Sequence, residues 1–188
     1  LNHGSGNGIQ AIVVYPMNAL ANSQQEELDK FLRRGFGDEG PLVTYERYTG
    51  QENDEVRERI RQNPPDILLT NYVMLELMLT RIEERRLVSQ ASNLKFLVFD
   101  ELHTYRGRQG ADVAMLIRRC RESFNNNLLC VGTSATMSTE GTSEEQSSLV
   151  SKVASKIFGE TVSPENIVGE RLRSNTKDLD FQSDEIKA

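Results

Sequence analysis

Residues 96–103 read Phe96-Leu97-Val98-Phe99-Asp100-Glu101-Leu102-His103. The first four side chains are large and apolar, which predicts a buried strand. Two acids follow this strand with no turn residue in between. Charged groups at the end of a buried strand cost stability unless they have partners or a task.

The acid pair has two interpretations. In nucleotide hydrolases, the first acid of such a pair holds the water shell of a magnesium ion, and the second polarises the attacking water. An ordinary strand followed by a polar turn gives the same residue types. The surrounding sequence therefore has to decide between the two.

Short apolar, β-branched segments alternate with longer segments of helical periodicity on both sides of this strand. Strands are predicted over residues 9–15, 42–47, 66–69, 95–99, 128–131 and 167–172, and helices over 18–34, 52–62, 71–84, 109–124 and 149–158. This order predicts an α/β fold whose parallel strands are joined by right-handed crossovers. In such sheets, functional residues collect at the carboxyl ends of the strands.

Two local expectations accompany this pattern. The helix at 18–34 is predicted to turn four apolar side chains inward, namely Leu20, Leu28, Phe31 and Leu32. Residues 138–148 are small and polar, which predicts a loop.

The tripeptide Ser134-Ala135-Thr136 follows the next predicted strand. Its two hydroxyl groups can reach acids at the end of a neighbouring strand. Ser-Ala-Thr alone is common in loops, but it becomes specific in register with Asp-Glu-x-His.

With these two motifs, the sequence resembles the superfamily-two DEAD/DEAH-box helicases. Asp100-Glu101-Leu102-His103 is similar to their Asp-Glu-x-His box, and Ser134-Ala135-Thr136 is similar to their coupling motif. Three further elements resemble their strand-contacting motifs, in the expected order: the segment from Tyr15-Pro16-Met17-Asn18 to Gln24, Thr49-Gly50, and Thr70-Asn71-Tyr72. The resemblance covers residues 11–137. The longer form Asp100 to Gly107 is closest to large bacterial helicases of DNA repair and defence.

The resemblance implies a three-layer RecA-like (P-loop NTPase) domain with a mostly parallel sheet. It implies that Asp100 coordinates Mg²⁺ through water, that Glu101 is the general base, and that His103 reports the state of the γ-phosphate of ATP. It also implies that Ser134, Ala135 and Thr136 couple hydrolysis to movement. ATP and Mg²⁺ are the implied cofactors.

A groove for single-stranded nucleic acid, with DNA favoured, is implied at the other strand ends. Its implied lining is Pro16, Asn18, Thr49, Gly50, Thr70 and Asn71. Small side chains and backbone amides suit phosphate contacts that do not read sequence. Asn18 and Asn71 also precede predicted helices, so a helix-capping role stays open for each.

The phosphate-binding loop Gly-x-x-x-x-Gly-Lys-Ser/Thr is absent from the sequence, since no glycine precedes a lysine. The glycine-rich segment 3–8 precedes a strand instead of following one, so it is expected to be a connection. We therefore expect a lobe at residues 1–173 that is truncated at its N-terminal strand-loop-helix unit. Residues 174–188 are expected to be a linker towards a second RecA-like lobe. The isolated chain is expected to be inactive.

Composition fits a protein without a membrane partner. No apolar run approaches the roughly 18–20 residues that cross a bilayer, and the N-terminus lacks a secretion-signal pattern, so a cytoplasmic location is expected. The net charge is −6, yet sixteen of the 22 basic residues are arginine and lie in clusters, such as Arg57, Arg59 and Arg61. Arginine suits phosphate oxygens, but solvated helix faces with neighbouring glutamates have the same composition.

Four alternatives stay open at this level. The parent protein separates strands, or it translocates along duplex without separating them. A degenerate lobe that only binds nucleic acid is a further possibility. A metal-dependent hydrolase built on Asp100, Glu101 and His103 is disfavoured, because three nearly consecutive residues cannot all face one ion. The isolated chain is also expected to self-associate through an exposed sheet edge.

Overall fold

The computed structural model describes residues 5–36, 43–134 and 142–169. Five strands are present: β1 (Ala11–Tyr15), β2 (Tyr45–Arg47), β3 (Ile67–Asn71), β4 (Phe96–Phe99) and β5 (Leu129–Gly132). Six helices connect and follow them: α1 (Asn18–Phe36), α2 (Asp54–Gln62), α3 (Tyr72–Thr80), α4 (Arg85–Gln90), α5 (Gly107–Ser123) and α6 (Ser143–Phe158). Short 3₁₀ turns occupy Ile82–Glu84, Leu102–Thr104 and Pro164–Asn166.

The strands form one sheet in the order β2-β3-β1-β4-β5, and every neighbouring pair is parallel. The register places Val14 beside both Thr70 and Phe99, and Phe99 beside Gly132. The carboxyl ends of β1, β3, β4 and β5 therefore lie at almost the same level. The predicted parallel α/β architecture is confirmed.

Helices cover both faces of the sheet, which gives three layers. One face carries Ile12, Leu68, Leu97 and Phe99, all fully buried in a core that includes residues of α3, α5 and α6. On the other face, α1 packs on β1 and β3. β4 is apolar along its whole length, but its two faces differ: Leu97 and Phe99 are fully buried, whereas Val98 is half-buried and Phe96 is 43% exposed. The prediction of a buried strand therefore holds for Leu97 and Phe99 but not for Phe96.

Two predictions about the helices were wrong in detail: one concerns the buried face of α1, and the other concerns the end of α3. Phe31 is 75% exposed, so it does not face the core, whereas Ala21 is fully buried there. The helix predicted over 71–84 ends at Thr80, because Arg81 is extended and a 3₁₀ turn follows. This break allows Glu84, which is 2% exposed, to accept hydrogen bonds from the Tyr48 hydroxyl at 2.7 and 2.8 Å.

The C-terminal part also differs from the prediction. Helix α6 begins at Ser143, so residues 143–148 are not a loop. A capping box starts this helix: the Thr142 side chain accepts from the Glu145 backbone and Glu145 accepts from the Thr142 N–H. Residues 167–169 are not a strand. The remainder of that predicted strand and the predicted linker at 174–188 lie outside the described residues.

None of the helices in the described part of the chain combines the length and apolar character that crossing a membrane would require.

Candidate functional site

The carboxyl edge of the sheet carries nearly all of the residues selected from the sequence. Asp100, Glu101 and His103 follow β4, and Ser134 follows β5. Pro16 and Asn18 follow β1, Thr49 and Gly50 follow β2, and Thr70 and Asn71 end β3. Ala135 and Thr136 lie outside the described residues.

Thr133 joins the two acids, and it was not selected from the sequence. Its hydroxyl donates a short hydrogen bond to Asp100 Oδ1 and accepts one from the Glu101 N–H at 3.3 Å. The Thr133 N–H donates to the Phe99 carbonyl at 3.0 Å, which extends the β4–β5 pairing by one step. The available signal was its position, directly before Ser134 at the end of a strand.

Glu101 has an unusual backbone. It has φ 52° and ψ 51°, and it is the only non-glycine residue with positive φ in the described part of the chain. This left-handed conformation costs about 1–2 kcal/mol for a residue with a side chain. Neighbouring bonds hold it there: Leu102 N–H donates to the Thr133 carbonyl at 2.7 Å, and Thr104 N–H donates to the Glu101 carbonyl at 2.8 Å. Strain of this kind concentrates at functional sites.

His103 contacts both sides of the site through one nitrogen. Its Nδ1 lies 3.0 Å from Ser134 Oγ and 3.1 Å from Glu101 Oε2. Glu101 Oε2 is shielded from solvent and forms no hydrogen bond in the described structure, and His103 Nδ1 lies near enough to become its partner. The nitrogen donates to the carboxylate only when it carries a proton, and otherwise it accepts from the serine hydroxyl. The histidine is thus placed to exchange partners.

Two buried tyrosines border Asp100. Burial, with a smaller contribution from the Asp100 charge, raises the pKa of Tyr15 to about 12. Burial, followed by the Asp100 charge and the neighbouring Tyr72, raises the pKa of Tyr105 well above its usual value. Tyr105 is 2% exposed, packs edge-on against Phe99 with ring centroids 5.9 Å apart, and has no hydrogen-bond partner for its hydroxyl in the described structure. Both phenols therefore stay neutral near the acid pair.

Asn71 connects the ends of β1, β2 and β3. Its Oδ1 accepts from the Met74 N–H at 2.7 Å, so it is the N-cap of α3. Its Nδ2 donates to Asn18 Oδ1 at 2.6 Å and to the Thr49 carbonyl at 3.0 Å. The capping role left open for Asn71 is therefore present, and the same side chain also links two neighbouring strand ends. Asn18 is itself the first residue of α1.

The remaining residues of the implied groove differ in exposure. Pro16 is half-buried and Gly50 is exposed. Gly50 has φ +90°, a conformation that favours glycine. Thr70 is fully buried, and its hydroxyl donates to the Tyr48 carbonyl at 2.7 Å. In this structure its side chain therefore fixes the end of β2 and is not open to solvent.

Glu52 also belongs to this corner and was not selected from the sequence. Its carboxylate accepts from the N–H groups of Thr49 (2.8 Å) and Gly50 (2.9 Å), from the Thr49 hydroxyl (3.0 Å) and from Arg47 Nε (2.9 Å). Burial opposes ionisation, but these hydrogen bonds outweigh it and hold the pKa of Glu52 below its usual value.

Comparison with known proteins assigns the chain to a family. Residues 1–144 match the family model described as DEAD/DEAH box helicase. The chain belongs to the DEAD/DEAH box helicase family.

Relatives of known sequence and structure agree with this family assignment. The uncharacterized ATP-dependent helicase YprA of Bacillus subtilis (strain 168) is 32% identical over 131 residues, which are 68% of this chain and 17% of YprA. The DUF1998 helicase MrfA, in a structure bound to DNA and AMPPNP, is 25% identical with a TM-score of 0.62 over 83% of this chain and 20% of that chain. The Mycobacterium smegmatis helicase Lhr, bound to ssDNA and AMP-PNP, is 24% identical with a TM-score of 0.62 over 77% of this chain and 18% of Lhr.

These likenesses confirm the expected RecA-like fold. The chain spans about a fifth of the length of these relatives.

The donor set at Asp100 suits a magnesium ion. In the residues that the structure describes, no group of three or more His, Cys, Asp or Glu side chains is arranged to hold a metal. Mg²⁺ keeps several waters and is held by one or two carboxylates together with substrate phosphates, so it needs no such group. A single carboxylate fixed by a threonine hydroxyl fits that mode of binding.

Proposed function

We propose that this DEAD/DEAH-box chain forms part of a motor that couples ATP hydrolysis to movement along single-stranded DNA. The observation that carries the proposal is the shared sheet edge. The acids and His103 lie at one end of it, and the Asn18–Asn71–Thr49 cluster lies at the other. MrfA, whose structure is described as bound to DNA and AMPPNP, supports the same combination of ligands.

The proposed domain organisation follows the relatives. Residues 1–173 form the first RecA-like lobe, and residues 174–188 lead to a second lobe that completes the nucleotide site. The larger size of YprA and MrfA supports this arrangement, since the chain matches only a fifth of each.

At the nucleotide end, each residue has a stated task. Asp100, held by Thr133, would hold Mg²⁺ through a water of its shell, and the ion would supply charge neutralisation at the nucleotide phosphates. Glu101 orients the attacking water and takes its proton. His103 shares Nδ1 between Glu101 and Ser134, so a change at the carboxylate alters the contact with the strand-end serine.

At the other end, the chain binds the strand through polar groups that do not read bases. Asn18 and Asn71 bond one another, and Asn71 also fixes the loop that carries Gly50. Because α3 is capped by the same Asn71 side chain, movement of this helix and movement of the strand site are mechanically linked.

The test is ATP hydrolysis by the full-length protein with and without single-stranded DNA. Glu101→Gln removes the base but keeps the shape of the side chain, and it should lower kcat by about 10²–10⁴-fold. Glu122→Gln, at an exposed position of α5, is the matched control and should behave as wild type. Wild-type turnover that survives in E101Q would overturn the role of Glu101.

Two other outcomes select the alternatives. DNA-stimulated hydrolysis without strand displacement on a forked substrate would indicate a duplex translocase. No hydrolysis under any condition would indicate a degenerate lobe that only binds nucleic acid. The isolated 188-residue chain should be inactive in the same assay, because an arginine finger from a second lobe typically contributes about 10³–10⁵-fold in rate.

We also propose that the isolated chain self-associates through β5. In the described structure, β5 has a neighbouring strand on one side only. Leu129 is 54% exposed and Val131 is 38% exposed, and Phe96 on the adjacent strand is 43% exposed. Light scattering across a concentration series should detect dimers, and Val131→Lys should abolish them. A wild-type chain that is monomeric at all concentrations would contradict this proposal.

A further inference from the structure

The arginines of helix α2 differ in how their charges are balanced. Arg59 pairs with Glu46 at 2.9 Å, and Arg61 pairs with the buried Glu84 at 3.5 Å. Arg57 forms no ion pair with any described residue. Of the three clustered arginines of α2, Arg57 is therefore the one whose charge no described acidic residue balances.

Arg57 lies directly over the turn after β2. Its Nη2 donates to the Gly50 carbonyl at 3.1 Å, which uses one of five N–H donors. Its Nε is shielded from solvent and has no hydrogen-bond partner in the described structure. The side chain as a whole is half-buried. An arginine that is partly desolvated without a carboxylate is a costly arrangement, and an anionic ligand would offset that cost.

The backbone amides of the same turn are already occupied. The Thr49 and Gly50 N–H groups, together with the Thr49 hydroxyl, bind the carboxylate of Glu52. The Glu52 side chain is 4% exposed and is paired with Arg47. A phosphate cannot use these amides while Glu52 holds them, so the sequence-based expectation that Thr49 and Gly50 bind phosphate through their backbone has a competitor inside the fold.

We propose that Arg57 binds a backbone phosphate of the single strand at this corner, in place of the Thr49 and Gly50 amides. This inference rests on the proposed function, because it assumes that a nucleic-acid strand passes along the sheet edge. Gly50 and Arg57 lie side by side at this corner: a Cβ built on Gly50 would lie 3.8 Å from Arg57 Nη2, at ordinary contact distance. The guanidinium suits phosphate oxygens in geometry as well as charge.

In this arrangement, Glu52 and Arg57 have different roles at the Thr49–Gly50 turn. Glu52 fixes the backbone of Thr49 and Gly50 from within, and its charge is balanced by Arg47. Arg57 bonds the Gly50 carbonyl on the outside and keeps its remaining terminal donors for the strand. The phosphate contact is then independent of base identity, as expected for a translocating motor.

The experiment measures binding of fluorescein-labelled oligo(dT) to the full-length protein by anisotropy, over a series of salt concentrations. Each phosphate contact to a single strand contributes about 0.7 to the slope of log K against log salt. Arg57→Gln should reduce the slope by about this amount, whereas Arg57→Lys, which keeps the charge, should retain it. Arg59→Gln is the matched control on the same helix, and its slope should equal that of wild type because Arg59 is already paired.

Each outcome has a separate meaning. A wild-type protein that does not bind oligo(dT) would contradict the proposed function itself. Wild-type binding with an unchanged slope in R57Q, or an equal loss in R59Q, would overturn only the role of Arg57. A slope that is lost in R57K as well as in R57Q would show that the Gly50 bond, and not the charge, is what binding requires, and would also overturn the proposal. Far-UV circular dichroism of each variant is compared with wild type before the titration.

Discussion

Replacing Asn71 tests whether one side chain holds three strand ends together. Asn71→Ala removes the N-cap of α3 and the two bonds from Nδ2 to Asn18 and Thr49. Loss of an N-cap costs about 1 kcal/mol, and each of the other hydrogen bonds contributes about 0.5–1.5 kcal/mol. The free energy of unfolding of the chain should therefore fall by about 2–4 kcal/mol.

Asn71→Ser separates the contributions. Serine caps a helix as well as asparagine does, but its hydroxyl is too short to reach Asn18. We therefore expect N71S to recover about 1 kcal/mol relative to N71A and to remain below wild type. A double-mutant cycle with Asn18→Ala isolates the 2.6 Å bond between the two amides, and the two losses should be less than additive by about 0.5–1.5 kcal/mol.

The assay is urea unfolding of the 188-residue chain followed by circular dichroism, at one concentration at which light scattering shows monomers, with unchanged m-values as the condition for comparison. N71A within about 0.5 kcal/mol of wild type would refute the reasoning, because that is the range of ordinary surface substitutions. Strict additivity of N71A and N18A would show that the amide–amide bond contributes nothing in solution.

Three further changes probe the same edge. Glu52→Gln should destabilise the chain above pH 4.5 in urea unfolding. The difference from wild type should shrink as pH falls through the lowered pKa of Glu52, because this carboxylate stabilises the fold only while it is ionised. A difference that is constant with pH would contradict this. Thr133→Val should raise the Mg²⁺ concentration required for binding of a fluorescent AMP-PNP to the full-length protein by about 10-fold or more. Thr133→Ser keeps the hydroxyl and should have the Mg²⁺ requirement of wild type. Equal Mg²⁺ requirements in the valine and serine variants would argue against a role for the hydroxyl. Gly50→Ala should lower the free energy of unfolding by about 1–2 kcal/mol, because φ at this residue is +90°. Gly169→Ala should be near neutral, because no atom lies within 4 Å of the new Cβ. Equal effects in urea unfolding would show that a side chain does not strain the backbone at Gly50.

The sequence predicted those features of the fold that depend on local pattern. The apolar run 96–99 and the acids after it identify an interior strand of the sheet and its carboxyl end, although Phe96 is 43% exposed. The alternation of strands and helices then requires parallel pairing. The start of α6 was equally readable, since Thr142 and Glu145 have the spacing of a capping box, but the small polar residues around them suggested a loop.

Other features leave little signal in the residue pattern. Thr133 meets Asp100, which is distant in sequence, because β4 and β5 are neighbours. Glu52 is close in sequence to Thr49 and Gly50, but its residue type alone does not show that the turn binds this carboxylate. Hydrogen bonds that involve Thr133 and Thr104 impose the left-handed backbone of Glu101, and the residue type at position 101 does not predict this conformation. Propensity alone would have placed a glycine or asparagine there.

The parallel sheet accounts for the position of both groups of candidate residues at one edge. Because every strand runs in the same direction, loops that leave β1, β2 and β3 emerge beside those that leave β4 and β5. The backbone of Asp100 bonds the Val14 carbonyl at 2.9 Å, and Val14 precedes the segment that begins α1. We therefore expect a displacement of the acid pair to reach Asn18 through β1, and α3 through Asn71. In the proposed motor, a nucleotide-dependent change at Asp100 would reach the nucleic-acid groups by a short path, which consists of the Asp100–Val14 backbone bond, the end of β1 and the Asn18–Asn71 amide pair.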